Sequence, residues 1–389
     1  MLSQLESGRA LQQAREQMDA LFRLVRSGSL YKRPIGERHR IIFYLGHVDA
    51  FDWNLMARYQ LDVPAFHEGF DRLFAFGIDP PPGELPNDKP TDWPGLPEVE
   101  HYQRRTREII DQLLPDIPEQ LLHVAIEHRL MHAETFAYIL HQLDYPSKTA
   151  PHQGRPGNGK AARDAGPEEW IDIPEGAAVL GLERGGVFGW DNEFEAHTVE
   201  VPGFTVAQYK VTNGEYLEFV KQGAAAPFFW ADRGDGWVFR GMFSEYPLPL
   251  DAPVYVTHDQ ATDYAKWRGK RLPSEAEFHR AACGSPRSKN RNFRYWDPIP
   301  VTADDDGTRR PMQLTGNGWE WTSTPFAPFP GFQPFPFYRN YSEPFFDGQH
   351  YVLKGASPRT AECFSRPSFR NWFRPSYPYV YATFRMVNG

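Results

Sequence analysis

Along residues 1 to about 145, apolar side chains recur at spacings of three and four. Leu11, Ala14, Met18, Leu21, Phe22 and Val25 mark one buried face of a first helix. A second helical pattern runs from about Gly36 to Tyr59, and a third from about Val99 to Leu114. Between these two lies a proline-rich stretch, including DPPPGELPNDKPTDWPGLP, that reads as irregular. A last helix starts near Ile117, with Pro118 suited to its first turn, and runs to about Leu143. Four helices with one long connection predict a four-helix bundle.

The pattern then changes. Ser147 to Glu169 is rich in Gly, Pro, Ala and charge and has no periodicity, which predicts a linker. From Trp170 onward, HTVEVPGFTVAQYKVT and HYVLKGAS read as short strands. NGEYLEFVKQ, THDQATDYAKWRG and SEAEFHRAAC read as short helices among long aromatic loops. The expected division is an all-α bundle at 1–146, a linker at 147–169 and an α+β domain of low regular content at 170–389. No internal repeat is visible.

Composition narrows the function classes. The 389 residues suffice for two separate cores. Aromatic residues make up 15%, so rings must fill irregular space between loops. Net charge is -8 with both signs mixed, which argues against a nucleic-acid surface. No apolar stretch reaches membrane-spanning length, and the polar first helix has no signal-peptide core. Cys283 and Cys363 are the only cysteines, so a disulfide framework is excluded and a reducing, cytoplasmic setting is expected. Cys283 follows the apolar end of a helix and is expected to pack.

The candidate chemistry lies in the bundle. His128 and His132 sit four apart in IEHRLMHAETFAYIL, so both imidazoles project from one helix face. His47, in FYLGHVDAFDWN, is placed on a facing helix. Ligands converging from facing helices are how bundles build metal sites, and three neutral imidazoles suit iron, zinc or copper. Glu134 falls on the opposite side of its helix from the pair and is not expected to be a ligand. His67, His123 and His141 are expected to be surface or packing residues.

Two sets of motifs resemble known families. His128-Arg-Leu-Met-His132-Ala-Glu134 fits the H-x3-H-x-E pattern of the DinB-like bundle in EgtB-like sulfoxide synthases, and His47 falls where that family has its third histidine. KVTNGEYLEFV, RLPSEAEFHRAA, GNGWEWTSTPFAPFPGF, VLKGAS and RPSFRNW resemble the formylglycine-generating-enzyme-like domain, which has a C-type-lectin-like core. The resemblance implies Fe(II) held by His47, His128 and His132, with the active site at the domain interface. It implies an O2-dependent enzyme that joins a small thiol to the imidazole of histidine or its betaine.

The same resemblance implies residue roles. PFYRNYSEPFF matches a tyrosine loop of the family, which makes Tyr338 the candidate proton or electron donor and Tyr341 a wall of the imidazole pocket. Asn371 and Trp372 would hold the amino-acid end of the substrate, where a trimethylammonium group favours aromatic faces. Met131 stands where several members have Gln, and Phe373 where members using γ-glutamylcysteine have an acidic residue. Those members also use arginines absent here from residues 73–103, so cysteine is the favoured donor; the resemblance itself implies hercynine as the favoured acceptor. Arg374, Arg370, Arg104, Arg105 and Arg107 are candidate carboxylate clamps. Alternatives are selenoneine-type or ovothiol-type chemistry, a formylglycine-generating oxidase using both cysteines, or a non-catalytic lectin-like binding protein. The absence of a methyltransferase domain favours ergothioneine-type over ovothiol-type chemistry. The oligomeric state is not legible.

Overall fold

A computed structural model describes residues 4–78, 84–151 and 169–388. The chain forms two compact units, Met1–His152 and Gln153–Gly389. Among the described residues no helix is long and apolar enough to cross a membrane.

The first unit is helical. Helix α1 spans Gln4–Phe22, α2 Ile41–Asp52, α3 Glu68–Phe76, α4 Leu96–Leu113 and α5 Glu119–Gln142. Helix α1 lies along α5, and α2 packs against α3, α4 and α5. Leu11, Ala14, Met18 and Leu21 of α1 are buried as their spacing predicts, and Phe22 meets Phe136 of α5 at 4.4 Å between ring centroids. Val25, expected on α1, is buried just beyond its end, paired with Lys148.

Three details depart from the expected pattern. The second helix begins at Ile41, later than Gly36, and continues past Asp52 as a π-helix over Trp53–Gln60. The connection, expected to be irregular, contains α3. The His67 ring accepts the Phe70 N–H at 3.0 Å to start α3, and Gly77 ends it at φ 80°, where a Cβ would strike the His39 ring. Residues 147–149, assigned to a linker, pack on the bundle, where the Thr149 N–H donates to the Leu24 carbonyl at 2.8 Å. The rest of that expected linker, 152–168, lies outside the described residues.

Among the described residues, the second unit holds four small sheets. Strands β1 Trp170–Ile173, β2 Gly176–Leu180, β3 His197–Val201 and β4 Phe204–Ala207 come first, then helix α6 Asn213–Lys221. Next are β5 Trp230–Asp232, β6 Trp237–Arg240 and β7 Glu245–Pro247, and helices α7 His258–Trp267 and α8 Glu275–Ala282. Strands β8 Gly318–Pro325, β9 Tyr351–Ala356, β10 Asn371–Phe373, β11 Ala382–Thr383 and β12 Val387–Asn388 complete it. The sheet orders are β1-β4-β12, β10-β9-β8-β11, β2-β3 and β5-β6-β7. One core lies under α8 and the sheets holding β2 and β4, around Val206, Phe278, Leu314 and Val387.

Local chemistry explains the motifs. Helices α6, α7 and α8 each open on a capping box, Thr212 with Glu215, Thr257 with Gln260 and Ser274 with Glu277. In GNGWEWT, Asn317 has φ 60°, and its amide makes four bonds, to Asn290, both backbone groups of Ile299 and Gln313. Two buried charge clusters then lock the sheet: Glu320 with Arg385 and Lys210, and Glu275 with Arg370 and Lys354. Both lysines also donate to backbone carbonyls, so their charge is matched on several sides.

Candidate metal centre and aromatic cluster

Helix α2 brings His47, and α5 brings His128 and His132, into one cluster whose ligand atoms all lie within 4.8 Å of one another. Ring centroids are 4.5–5.3 Å apart across the three pairs. The Nδ1 of His47 lies 2.6 Å from the Phe74 carbonyl of α3. A carbonyl only accepts, so Nδ1 carries the proton and Nε2 keeps its lone pair. That Nε2 is 3.1 Å from the Nε2 of His132. Two nitrogens on adjacent positions of one ion, with bonds of about 2.1 Å, would stand about 3 Å apart. The donor set therefore fits a transition-metal ion.

Electrostatics agree with this. Burial pushes the His47 imidazole down to about 4, only partly opposed by its bond to Phe74. Burial also holds His128 and His132 well below the usual histidine range, helped by the positive potential of neighbouring imidazoles. Neutral rings are the form that binds metal. The Phe51 ring stacks on His128 at 3.4 Å and Phe43 on His47 at 4.8 Å, fixing both ring planes. Gly46 is required beside them, because a Cβ there would lie 2.4 Å from the Phe74 ring.

Beneath the histidines lies a buried charge network that no sequence motif signals. Arg129, fully buried next to His128, binds Asp49 at 2.8 Å and Asp52 at 2.5 Å. Arg107 of α4 joins Asp49 to Asp19 of α1. Burial opposes the Asp49 charge, yet Arg129 and Arg107 outweigh it and hold its carboxyl low. For Asp52 burial wins, with the Asp49 charge adding to it, and the carboxyl is raised. The network ties α1, α2, α4 and α5 together behind the ligands. Buried acids two and five positions after His47 leave no pattern in a sequence, since Asp is most often exposed.

The second unit gathers several of the other expected site residues. Tyr341 stacks on Trp190 at 4.0 Å and meets Trp372 edge-on at 5.4 Å. Tyr338 is 5.6 Å from Tyr341 and 6.3 Å from Trp190. Loss of water around the Tyr338 hydroxyl, with the Asp191 charge adding to it, pushes it up to about 12. Trp372 stacks on Phe326 at 4.2 Å. Its strand neighbours Asn371 and Phe373 point to the other face of β10 by alternation, and Phe373 stacks on Tyr377 instead. Strand geometry therefore separates Trp372 from the two residues grouped with it.

Two candidate clamps and one cysteine differ from expectation, and the other residues are placed as follows. Arg370 is buried and committed to Glu275 at 3.0 Å, and Arg107 to Asp19 and Asp49, so neither is an open clamp. Arg105 pairs with Glu108, whereas Arg374 and Arg104 are exposed. Cys283 caps α8 facing outward and is exposed, contrary to the expected packing role, because the helix has already ended at Ala282. Met131 and Glu134 are half-buried on α5, and neither supplies an atom to the histidine cluster. His67 caps α3, His123 faces Glu119 at 3.5 Å, and His141 is buried.

Comparison with known proteins bears on what such a cluster does. The DinB superfamily profile matches residues 10–142, and the sulfatase-modifying factor enzyme 1-like domain profile matches 157–309. Ergothioneine biosynthesis protein 1 of Schizosaccharomyces pombe is 28% identical over 94% of this chain and 54% of its own length. Hercynine oxygenase of Mycobacterium tuberculosis is 34% identical over 51% of this chain and 55% of its own. The chain thus spans about half the length of these two relatives. Hercynine oxygenase of Mycolicibacterium smegmatis is 31% identical over 72% of this chain and 74% of its own length. On that match, with the two domain types in order and the histidine cluster in the first, the chain belongs to the hercynine oxygenase family.

Proposed function

We propose that this chain is an Fe(II)- and O2-dependent sulfoxide synthase. It would join the imidazole of a histidine derivative, hercynine by preference, to a small thiol, cysteine in preference to γ-glutamylcysteine. The reading rests on one observation: three neutral imidazoles converge within 4.8 Å in a chain of this family. Bound by them, Fe(II) would supply electrons to O2 and open positions for a thiolate, which redox-inert zinc would not do in the same way.

The remaining roles belong to side chains. His47 is oriented by the Phe74 carbonyl, so its lone pair stays aimed inward. Tyr338 keeps its proton at neutral pH, since its hydroxyl is pushed up to about 12, and it is the proposed proton donor. The faces of Tyr341 and Trp372 suit a quaternary ammonium, which offers no hydrogen bond. Apolar Phe373 and the lack of Arg over 73–103 depart from the pattern expected of γ-glutamylcysteine users, which favours cysteine. The free cysteines are consistent with a proposed cytoplasmic setting.

The test is anaerobic loading with Fe(II) followed by O2, offering hercynine or histidine against cysteine or γ-glutamylcysteine, with products read by mass spectrometry. The expected main product is the sulfoxide of hercynine and cysteine. No carbon–sulfur product with any pair would refute the reading, and a dominant γ-glutamylcysteine adduct would refute the donor assignment.

A further inference from the structure

The tyrosine loop is held from below by residues outside the motifs that carry the family resemblance. The sequence Trp190-Asp191-Asn192-Glu193 is buried throughout, at 0, 0, 1 and 0% exposure. Three consecutive polar side chains with almost no exposure are costly unless each is matched. Glu193 is matched within the scaffold: it accepts the Trp190 N–H at 2.8 Å, both Arg366 contacts at 2.6 and 2.9 Å, and Ser368 at 2.7 Å. Arg370 adds a bond to the Asn192 carbonyl at 3.3 Å. This short turn is therefore a fixed base.

Its other two polar side chains reach into the loop. The Ser342 hydroxyl donates to the Asp191 carboxylate, and the Asn192 amide donates to the Ser342 oxygen at 2.9 Å. The Trp190 ring also lies 6.3 Å from the Phe335 ring, at the other end of the loop. Phe335 and Ser342 are the two ends of the segment that carries Tyr338 and Tyr341. The Trp190 ring supports the middle, stacked on Tyr341. Within the segment the backbone makes short turns, the Tyr338 N–H to the Phe335 carbonyl and the Tyr341 N–H to the Tyr338 carbonyl. Arg339 and Asn340 at its tip are exposed.

We propose that Asp191 and Asn192, which hold Ser342, and Trp190, which lies beside Phe335 and Tyr341, are positioning residues that clamp the Phe335–Ser342 loop and so set where the Tyr338 hydroxyl stands. The clamp itself rests on the bonds above; its effect on product rests on the proposed donor role of Tyr338. Removing the clamp should leave the base intact, because Glu193 and its partners are separate from Asp191. The loop should then open locally, and the tyrosine should lose its fixed position while remaining in the chain.

The test compares Asp191→Ala, Asp191→Asn and Ser342→Ala in the Fe(II)-loaded full chain. Hydrogen exchange of peptides covering Phe335–Ser342 is read first. Asp191→Ala and Ser342→Ala should each speed exchange there at least tenfold while peptides of α6 and β9 stay unchanged. Asp191→Asn, which keeps an acceptor for Ser342, should change it less than threefold. The ratio of sulfoxide to cysteine sulfinate is read second, and it should fall in the two clamp-breaking variants and recover in Asp191→Asn. Unchanged exchange in the loop of both clamp-breaking variants, or equal acceleration throughout the second unit, would overturn the clamp. If Asp191→Ala does not fold, Ser342→Ala decides alone. If Tyr338→Phe leaves the product ratio unchanged, the donor role falls, while the exchange result still judges the clamp.

Discussion

One methyl group at Gly46 tests how the His47 ring is aimed. A Cβ there would collide with the Phe74 ring, whose own carbonyl holds Nδ1 of His47. Gly46→Ala is therefore expected to cost about 1–3 kcal/mol through overpacking. Metal affinity should fall by roughly 10–100-fold as the orienting carbonyl moves, measured by Fe(II) titration under anaerobic conditions. Tyr338→Phe removes one hydroxyl without changing the stack, so protein stability should hold. Its product should shift from sulfoxide toward cysteine sulfinate; an unchanged ratio on mass spectrometry would remove Tyr338 from the chemistry. Asp191 adds a pH signature. Burial, with the Glu343 charge adding to it and bonds to Ser342 and backbone opposing, leaves its carboxyl raised to about 6. The folded state thus holds the proton longer than the unfolded chain. That contribution is complete below about pH 4 and is lost as pH rises through about 6. Relative to Asp191→Asn, the parent should lose on the order of 2 kcal/mol across this window, read by denaturant titration at stepped pH.

At the scale of elements, α2 and α5 are joined behind the ligands by Arg129, Asp49 and Asp52. Replacing Arg129 with Met would leave two buried carboxylates without their main counter-charge. The expected loss is about 3–5 kcal/mol, seen as a lower denaturation midpoint of the helical unit. At the other extreme, Ser274→Ala should cost only about 0.5–2 kcal/mol, since it removes one cap of α8. The three short helices were expected at these segments, and T-x-x-E, T-x-x-Q and S-x-x-E stand at the starts of α6, α7 and α8. The π-helix after Asp52 was not expected, because apolar spacing does not separate π from α winding over eight residues. Helix α3 was missed for a related reason. Its nine residues sit in a proline-rich connection, and a capping histidine with a terminal glycine starts and stops it without a long apolar run.

For the whole molecule, metal binding and folding of the helical unit should be linked. A ligand that binds only the folded state adds about 4 kcal/mol at a thousandfold excess over its dissociation constant. Chelation should therefore lower the melting midpoint of the Fe(II)-loaded chain, and the triple change His47→Ala, His128→Ala, His132→Ala should abolish that difference. One iron per chain is the expected stoichiometry; retention of iron by the triple variant would place the metal elsewhere.

Sequence alone determined the order of two domain types, most helices of both, and the three histidines. Each of these depends on local chemistry: apolar spacing, a capping side chain, two imidazoles one helical turn apart. Tertiary structure decided what each polar group is bonded to. Arg370 and Arg107 looked available along the chain and are spent on buried carboxylates in space. Trp372 faces the aromatic cluster while Asn371 and Phe373 turn away, which only the placing of β10 beside β9 fixes. Asp191 and Ser342, 151 positions apart, meet only after folding. Hydrogen bonds and ion pairs act over a few ångströms of space, and no periodicity along the chain records partners so distant in sequence.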